Sequence, residues 1–397
     1  MKNTKFYYLV LMILCHINVS AAPLGTLTPV PGSPFPSGGV VGNPPQVTFS
    51  PIVSGNLFAA SINIGDDSIS RYLVDQLTGT FTRLLPDTPT GDGPQDIAFS
   101  PVVAGGLFAA VPNAGDDNVS IYRVNTTTGA FAHLQDIGAG STPSSIAFSP
   151  IFAGKLYAAV ANFNSNNVSV YSVDQTTGAF ALLSTVTITG VNPGPFDISF
   201  SPVVAGNLYV AVANRSNSTI SVYSVDPTTD AFNEVVGSPF LGVTTPFDLD
   251  FSPLVAGNVF LAVTSLSNEV FVYSVNPTTG FLTQVPGSPF ATGALPIGVA
   301  YSPVALGNLF AAVTNAIDNT ISIYTVNAMT GAFTRVLPDT PTGGVTPFGI
   351  DFSPLTLQGK LFVADANASS DNVSVFDVTL AQAGISAISQ AIIDKYC

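Results

Sequence analysis

The 397-residue chain has no tryptophan, two cysteines, two histidines and few charges, since charged residues make up only 9% of it. Hydrophobic residues reach 46%, a balance that excludes a disordered chain and is unusual for a cytosolic enzyme. Histidine is the commonest general base, and His133 is the one histidine beyond the first 20 residues. The composition therefore predicts a large apolar core and offers few groups for acid–base catalysis.

Long apolar runs are also scarce. The clearest one, Phe6 to Cys15, lies at the N-terminus and is too short to span a bilayer. Lys2 and Lys5 precede it, and the small residues Val19-Ser20-Ala21 follow it. This order is typical of a secretory signal peptide over residues 1–21. We therefore expect a secreted or periplasmic protein with no membrane span.

Basic residues and cysteines become scarcer still once this segment is removed. Loss of Lys2 and Lys5 leaves 8 basic against 24 acidic residues, a net charge of −16, which argues against a nucleic-acid partner because it repels phosphate backbones. Cys15 leaves with the signal, so Cys397 is the one remaining thiol. An internal disulfide is thereby excluded, and an intermolecular disulfide through Cys397 stays open.

A sequence repeat organises the rest of the chain. The triplet Phe-Ser-Pro, once Tyr-Ser-Pro, recurs at intervals of 49 to 52 residues. Its seven copies begin at Phe49, Phe99, Phe148, Phe200, Phe251, Tyr301 and Phe352. Regular repeats of this length indicate an array of identical structural units rather than separate domains.

Each unit carries four short segments separated by glycine and proline. In order they are a strand ending at Ser-Pro, an apolar run such as Leu309–Val313, an alternating run such as Val168–Val173, and a segment after Thr-Gly such as Gly331–Val336. Short runs rich in Val, Ile, Phe and Tyr predict strands. The chain is therefore predicted to be all-β, a seven-bladed β-propeller with four-stranded blades.

The two ends of the chain predict how the ring closes. The seventh unit lacks its fourth segment, whereas Gly25–Phe35 matches the fourth segment Gly280–Phe290 almost letter for letter. An N-terminal strand that completes the last blade would hide its sheet edge. We therefore place the propeller at residues 22–379 and a weakly helical C-terminal tail at residues 380–397.

The blade sequence resembles a known family. The run Val222–Thr229, the segment Gly237–Phe240 and the Ser-Pro strands resemble bacterial propellers of the lactonase-like and YVTN-repeat families, from Gly25 to about Asp377. The resemblance implies the propeller fold and roles that include sugar-lactone hydrolysis and cell-surface interaction. Val204–Asn207 departs from the family pattern, which has Asp-Gly at this place.

Motifs for a nucleophile, a phosphate site or a metal site are missing, since the chain lacks Gly-x-Ser-x-Gly, Walker A, His-Glu-x-x-His and EF-hand patterns. His133 aligns with residues of very different character in the other outer strands, which predicts a solvated position. The seven serines of Ser-Pro are predicted to bond turn backbone, because one active site does not need seven copies. Asp365 aligns with valines, which predicts a buried carboxyl.

The residues at the start of the first strand differ between units, although their neighbours scarcely change. They are Gln46, Asp96, Ser145, Asp197, Asp248, Gly298 and Gly349. They lie on the face where propeller ligands usually gather, and their carboxylates either bond strand amides or bind a ligand. We predict Gln46, Asp96, Ser145, Asp197 and Asp248 as ligand-binding residues. The three aspartates are candidate Ca²⁺ ligands, because Ca²⁺ takes six to eight oxygen donors.

Two functions are open. Near-identical blades, scarce charge, a solvated histidine and no nucleophile motif favour an exported, non-catalytic propeller that binds a small molecule, a glycan or a protein. The alternative is a lactonase-like hydrolase that acts on a sugar lactone at the channel mouth. A phosphosugar would require clustered Arg or Lys, and the basic residues are scattered over different blades. Two carboxylates and a basic group converging in one pocket would favour the hydrolase.

Overall fold

The computed structural model describes residues 22–38 and 46–380. In these ranges the chain forms seven antiparallel sheets, numbered here as blades 1 to 7 in the order of their first strands. The predicted seven-bladed propeller with four-stranded blades is therefore confirmed. No helix within these ranges has the length and apolar character needed to cross a membrane. The predicted signal peptide and the tail from Ala381 to Cys397 lie outside the described residues.

The strands follow the repeat, from an inner strand at the central channel to an outer strand at the rim. The first strands are Val47–Phe49, Ala98–Phe99, Pro143–Phe148, Pro195–Phe200, Pro246–Phe251, Pro296–Tyr301 and Pro347–Phe352. The second strands are Leu57–Asn63, Leu107–Asn113, Tyr157–Asn162, Tyr209–Asn214, Phe260–Ser265, Phe310–Asn315 and Phe362–Asn367. The third strands are Ser68–Val74, Asn118–Val124, Asn167–Val173, Thr219–Asp226, Glu269–Val275, Thr320–Val326 and Asn372–Val378.

The outer strands are continuous in four blades and divided in three. The continuous ones are Phe81–Pro89, Phe131–Gly138, Phe180–Thr187 and Phe333–Pro341. The divided ones are Ala231–Glu234 with Phe240–Leu241, Leu282–Gln284 with Phe290–Ala291, and Leu27–Pro29 with Phe35–Pro36. Each division falls at Gly-Ser-Pro-Phe. The serine hydroxyl there accepts a hydrogen bond from a backbone amide of the third strand, for example Ser238 from Val222 at 3.0 Å. A short 3-10 turn spans Ile64–Asp66.

The hydrophobic core lies between neighbouring blades. Second strands are buried along their whole length, and their alanines, such as Ala59 of blade 1 and Ala364 of blade 7, belong to clusters shared by two blades. Burial on both faces explains why these runs are apolar without alternation. In all seven blades the serine hydroxyl of Ser-Pro accepts a hydrogen bond from the backbone amide of the first or second residue of the second strand, so the predicted structural role of these serines is confirmed.

The turn between the third and fourth strands brings the blades into close contact. Gly79 has a φ of 74°, and a Cβ atom there would lie 2.6 Å from the Phe362 ring of the adjacent blade. Only glycine satisfies both conditions. Asp230 replaces this glycine in blade 4 with a φ of 59°, and its carboxylate accepts 2.6 Å hydrogen bonds from Lys155 and from the Tyr157 hydroxyl. The departure is therefore offset by two polar contacts.

The N-terminal segment completes blade 7, as predicted. Leu27–Pro29 pairs with the third strand Asn372–Val378 with Leu27 opposite Val378, and Phe35–Pro36 pairs with the same strand. The side chains of Leu27 and Phe35 are buried. The first and last parts of the propeller thus share one sheet, and the ring is closed.

Candidate active site

The first strands begin on one face of the ring, which we call the channel mouth. A cavity of about 300 Å³ opens there, and we call it the mouth cavity. All five residues predicted as ligand-binding, Gln46, Asp96, Ser145, Asp197 and Asp248, line it. They come from five different blades, so residues up to 202 positions apart in the sequence meet in one pocket.

The three aspartates of the mouth cavity also hold neighbouring blades together. In each, one carboxylate oxygen accepts a hydrogen bond from a first-strand amide of the next blade in the ring. The pairs are Asp96 with Ile146 at 3.0 Å, Asp197 with Leu249 at 2.9 Å and Asp248 with Val299 at 2.7 Å. The carboxylates are therefore fixed in position, as a site that must hold a substrate requires.

A hydrogen-bonded chain links the same carboxyls to one another. The Ser145 hydroxyl lies 2.7 Å from an Asp197 oxygen and 3.1 Å from an Asp96 oxygen, and Asp197 shares a hydrogen bond with Asp248. A hydroxyl has a single hydrogen and an ionised carboxylate has none. The hydrogen bond between Asp197 and Asp248 therefore requires a proton on one of these two carboxyls. The arrangement thus leaves at most two negative charges over the three aspartates.

The pKa values agree with this shared protonation. Burial raises the pKa of Asp96 to about 6. Burial also raises the pKa of Asp197, against the hydrogen bonds that it accepts. The pKa of Asp248 lies well above its usual range, through burial and through the negative charge of Asp197. Asp248 is therefore the proton donor of the pair, and Asp197 is the partner that ionises first.

Two further aspartates lie deeper in the channel. Asp250 accepts a 2.8 Å hydrogen bond from the Tyr301 amide, and burial raises its pKa to about 8. Asp351 accepts one from the Phe49 amide, and burial raises its pKa to about 6. Neither residue was predicted from the sequence. Asp250 stands two residues after a predicted site residue in its strand and so faces the same channel, and this alternation was the signal that could have found it.

Among the described residues, one cation faces these carboxyls. Arg215 lines the mouth cavity, with its guanidinium carbon 4.9 Å from the centre of the Phe196 ring and 4.7 Å from that of Phe247. Its side chain forms no hydrogen bond or ion pair with another described residue. Cation–π contacts of this kind hold a guanidinium in place while its N–H groups stay free.

Aromatic rings form the rest of the rim. The centre of the Phe247 ring lies 4.5 Å from that of Phe196 and 5.4 Å from that of Phe348, and all three side chains line the mouth cavity. Each follows a proline and precedes the strand-start residue of its blade. The cavity thus combines an apolar rim with a few polar groups, the composition of a small-molecule site.

Arg215 was not predicted as a site residue, because the basic residues form no cluster when they are grouped by blade. It directly follows Asn214, the last residue of a second strand, at the channel mouth. The same position holds apolar side chains in the other six blades, namely Ile64, Ala114, Phe163, Leu266, Ala316 and Ala368. A single charged residue at an otherwise apolar position was the available signal.

A calcium site receives no geometric support. No group of three or more His, Cys, Asp or Glu side chains that could hold a metal ion occurs in the described part of the chain. The oxygens of Asp96, Asp197 and Asp248 instead accept hydrogen bonds from amides, from Ser145 and from one another. The Ca²⁺ prediction stays untested.

Other predicted positions lie away from this cavity. His133 is on an outer strand with its side chain 49% exposed and its ring 2.9 Å from Asp136, so its solvated position is confirmed. Asp365 is fully buried in the second strand of blade 7, as predicted, and neither of its carboxyl oxygens has a hydrogen-bond partner. Burial holds its pKa well above the usual range, which favours the uncharged form.

Comparison with known proteins relates the chain to lactonases. The family described as "Lactonase, 7-bladed beta-propeller" matches residues 46–199 and 102–295, which together span more than half of the chain. No protein with a curated description matches the sequence.

Solved structures share the fold. A putative 6-phosphogluconolactonase of Bacteroides fragilis is 18% identical, with 76% of this chain and 85% of that chain aligned and a TM-score of 0.58. The periplasmic gluconolactonase of Pseudomonas aeruginosa is also 18% identical, with 86% and 97% aligned and a TM-score of 0.57. At these identities the likeness shows the fold alone.

The family match overturns the expectation of a non-catalytic binding module. That expectation depended on the missing nucleophile motif and the solvated histidine. It was wrong because it counted catalytic residue types along the sequence, whereas three carboxyls and one arginine converge in the folded chain. The chain belongs to the lactonase family of seven-bladed β-propellers.

Proposed function

We propose that the protein hydrolyses a sugar lactone in the mouth cavity. The observation that carries the proposal is the hydrogen-bonded pair Asp197 and Asp248 in the same cavity as Arg215. Two carboxyls that share a proton supply a base and an acid side by side, and a guanidinium with free N–H groups can stabilise a developing oxyanion. Family membership supports lactone chemistry.

Hydrolysis of a lactone needs no protein nucleophile, which fits the absence of such a motif. Asp197 as a carboxylate takes a proton from a water molecule, and the water oxygen bonds to the lactone carbonyl carbon. Negative charge then develops on the carbonyl oxygen, where Arg215 stabilises it. The bond from that carbon to the ring oxygen breaks, Asp248 gives its proton to the leaving ring oxygen, and the product is an open-chain hydroxy acid.

The hydrogen bond between the two carboxyls allows their starting protonation states to be restored after each turnover. After one turnover Asp197 carries the proton taken from water and Asp248 has lost its own. Transfer of a proton along their shared hydrogen bond returns both to the starting state. The rings of Phe196, Phe247 and Phe348 give the sugar an apolar surface and help to exclude water from the carboxyls.

The test is hydrolysis of gluconolactone, followed as acid release in a pH-stat and corrected for the reaction without protein. Asp197→Asn and Asp248→Asn should each lower kcat by about 100-fold or more. Arg215→Met should do so by about 100-fold. Asp136→Asn and Arg123→Met change the same residue types outside the cavity and should keep the wild-type rate. A wild-type rate equal to the background, or cavity variants as active as the controls, would refute the proposal.

We further propose that the hydrolase acts outside the cytoplasm. The basic, apolar and small-residue order of residues 1–21 supports this, because exported proteins begin in this way. N-terminal sequencing of protein recovered from the periplasm or medium should begin at Ala22. An intact Met1 and a wholly cytoplasmic location would contradict export.

A further inference from the structure

We propose that the mouth cavity selects an uncharged, polyhydroxylated lactone and rejects the same sugar carrying a phosphate. The inference rests on the proposed hydrolase and concerns the charge of its substrate. The inference is based on the charges that line the cavity. They depend on which basic side chains face the cavity and which are bonded to other groups elsewhere in the fold.

Arg215 is the one basic residue of the described ranges that faces the cavity. Three of the ten basic residues, Lys2, Lys5 and Lys395, lie outside those ranges. Four others form ion pairs on the outside of the ring, namely Arg83 with Asp87, Arg335 with Asp339, Lys155 with Asp230 and Lys360 with Asp377. The last two, Arg71 and Arg123, donate to backbone carbonyls. None of these six lines the cavity.

The side chains around the mouth cavity are unsuited to binding a phosphate group. It carries nearly two negative charges and three acceptor oxygens, and proteins usually bind it with several Arg or Lys donors. The mouth cavity offers one guanidinium beside Asp96, Asp197 and Asp248, whose carboxylate oxygens are acceptors and not donors. Like charges within a shielded pocket repel strongly. The cavity would therefore bind a phosphorylated sugar weakly.

An uncharged lactone fits the same groups. Asp248 keeps its proton while Asp96 and Asp197 can ionise, so at most two negative charges face the one positive charge on Arg215, and a neutral substrate adds no further negative charge. Sugar hydroxyls are donors, which the carboxylate oxygens accept. The hydroxy-acid product adds a negative charge that a single arginine must share with the aspartates, so the product should leave readily.

The first experiment compares gluconolactone with its 6-phosphorylated form as substrates of the wild-type protein. We expect kcat/KM to be at least 100-fold higher for the unphosphorylated lactone. Equal values, or a preference for the phosphorylated form, would overturn the inference while leaving the hydrolase intact.

A binding measurement separates this inference from the proposed function. Calorimetry with gluconolactam, which the protein should not hydrolyse, and with its 6-phosphate reports recognition alone. At least tenfold tighter binding of the uncharged lactam would support the inference even if neither lactone were hydrolysed. Equal binding of the two lactams, or binding of neither, would overturn it.

A variant that adds a cation to the cavity tests whether the shortage of positive charge causes the discrimination against the phosphorylated lactone. Gln46 lines the cavity, so Gln46→Arg places a second guanidinium near the substrate. It should raise kcat/KM for the phosphorylated lactone relative to the uncharged one by at least tenfold. Gln76→Arg adds the same charge at an exposed turn on the opposite face and should leave that ratio unchanged. An unchanged ratio in Gln46→Arg, or equal shifts in both variants, would overturn the charge argument.

Discussion

Asp351 of blade 7 accepts a 2.8 Å hydrogen bond from the backbone amide of Phe49 of blade 1, so the last blade and the first are joined at the wall of the channel. The Thr48 hydroxyl lies 3.1 Å from the same oxygen. The N-terminal strand joins the chain ends at the rim. The channel aspartates thus hold blades together, and those at the mouth also provide the titratable groups of the candidate active site.

Removing this contact should weaken the closed ring. Asp351→Ala should lower the free energy of unfolding by about 1–3 kcal/mol, because the buried amide of Phe49 loses its partner. Asp351→Asn keeps an acceptor oxygen at the same position and should cost less. Urea unfolding at pH 7 measures both. An equal loss in the two variants would show that the acceptor oxygen is not what stabilises the junction.

Closure at the rim can be tested separately. Removing Gly25–Phe35 should lower the Tm and produce oligomers, because the third strand Asn372–Val378 becomes an exposed sheet edge. Thermal unfolding and light scattering report the two effects. Thr28→Ala changes an exposed side chain of the same strand and should alter neither. A truncated protein that stays monomeric with an unchanged Tm would contradict rim closure.

The fold was predictable because its signals are local and repeated. Seven copies of Ser-Pro fix the number of blades, and the match between Gly25–Phe35 and Gly280–Phe290 identifies the strand that closes the ring. Division of the outer strand at Gly-Ser-Pro-Phe was not predicted. It depends on a contact that no repeat pattern reveals, the hydroxyl of Ser238 with the amide of Val222.

The candidate site was predictable only in part. The repeat position at the start of the first strand differs between blades, whereas its neighbours are nearly constant. This contrast singles out Asp96, Asp197 and Asp248. Arg215 stands on a different strand from these residues, and its orientation depends on packing against Phe196 and Phe247. Sequence spacing carries no information on that packing. The function was misjudged for the same reason, because it depends on groups that meet only in the folded ring.

Stability should fall as the pH rises from about 4 to 8. Burial raises the pKa of Asp250 to about 8 and that of Asp351 to about 6, whereas both have an ordinary value of 3.8. The folded state therefore binds more protons than the unfolded state in this window, and the free energy of unfolding declines with pH. Thermal unfolding at a series of pH values measures the decline.

Asp250→Asn should flatten that decline between pH 6 and 8, because the variant has no proton to lose at this position. Asp174→Asn removes an exposed carboxyl whose pKa backbone amides hold below its usual range, so it should leave the decline unchanged above pH 4. A Tm that rises from pH 4 to 8 in the wild type would contradict the protonated channel.

Calcium should have no specific effect on stability. Asp197 and Asp248 share a proton and accept amide hydrogen bonds, so a divalent cation would have to displace both. We expect millimolar Ca²⁺ to shift the Tm no more than NaCl of equal ionic strength. A larger, Ca²⁺-specific increase that Asp197→Asn with Asp248→Asn removes would instead establish the calcium site considered from the sequence.

Ser145 should set the pH at which the proposed base becomes active. Its hydroxyl donates to Asp197, and this hydrogen bond opposes the rise in the pKa of that carboxyl caused by burial. In Ser145→Ala the pKa of Asp197 should therefore rise further, and the acidic limb of the kcat/KM profile for gluconolactone should move to higher pH. The loss of activity should be largest at low pH and recover as the pH increases.

Two further variants separate this positioning role from a general loss of structure. Ser144→Ala removes a hydroxyl at the same cavity that lies near the backbone carbonyls of Ala161 and Pro195, so the acidic limb should stay in place. Ser145→Thr keeps the donor and should return the limb towards the wild-type pH. A damaged cavity would lower kcat/KM equally at every pH, because packing does not titrate. An unshifted limb in Ser145→Ala would show that this hydroxyl does not govern the protonation of Asp197.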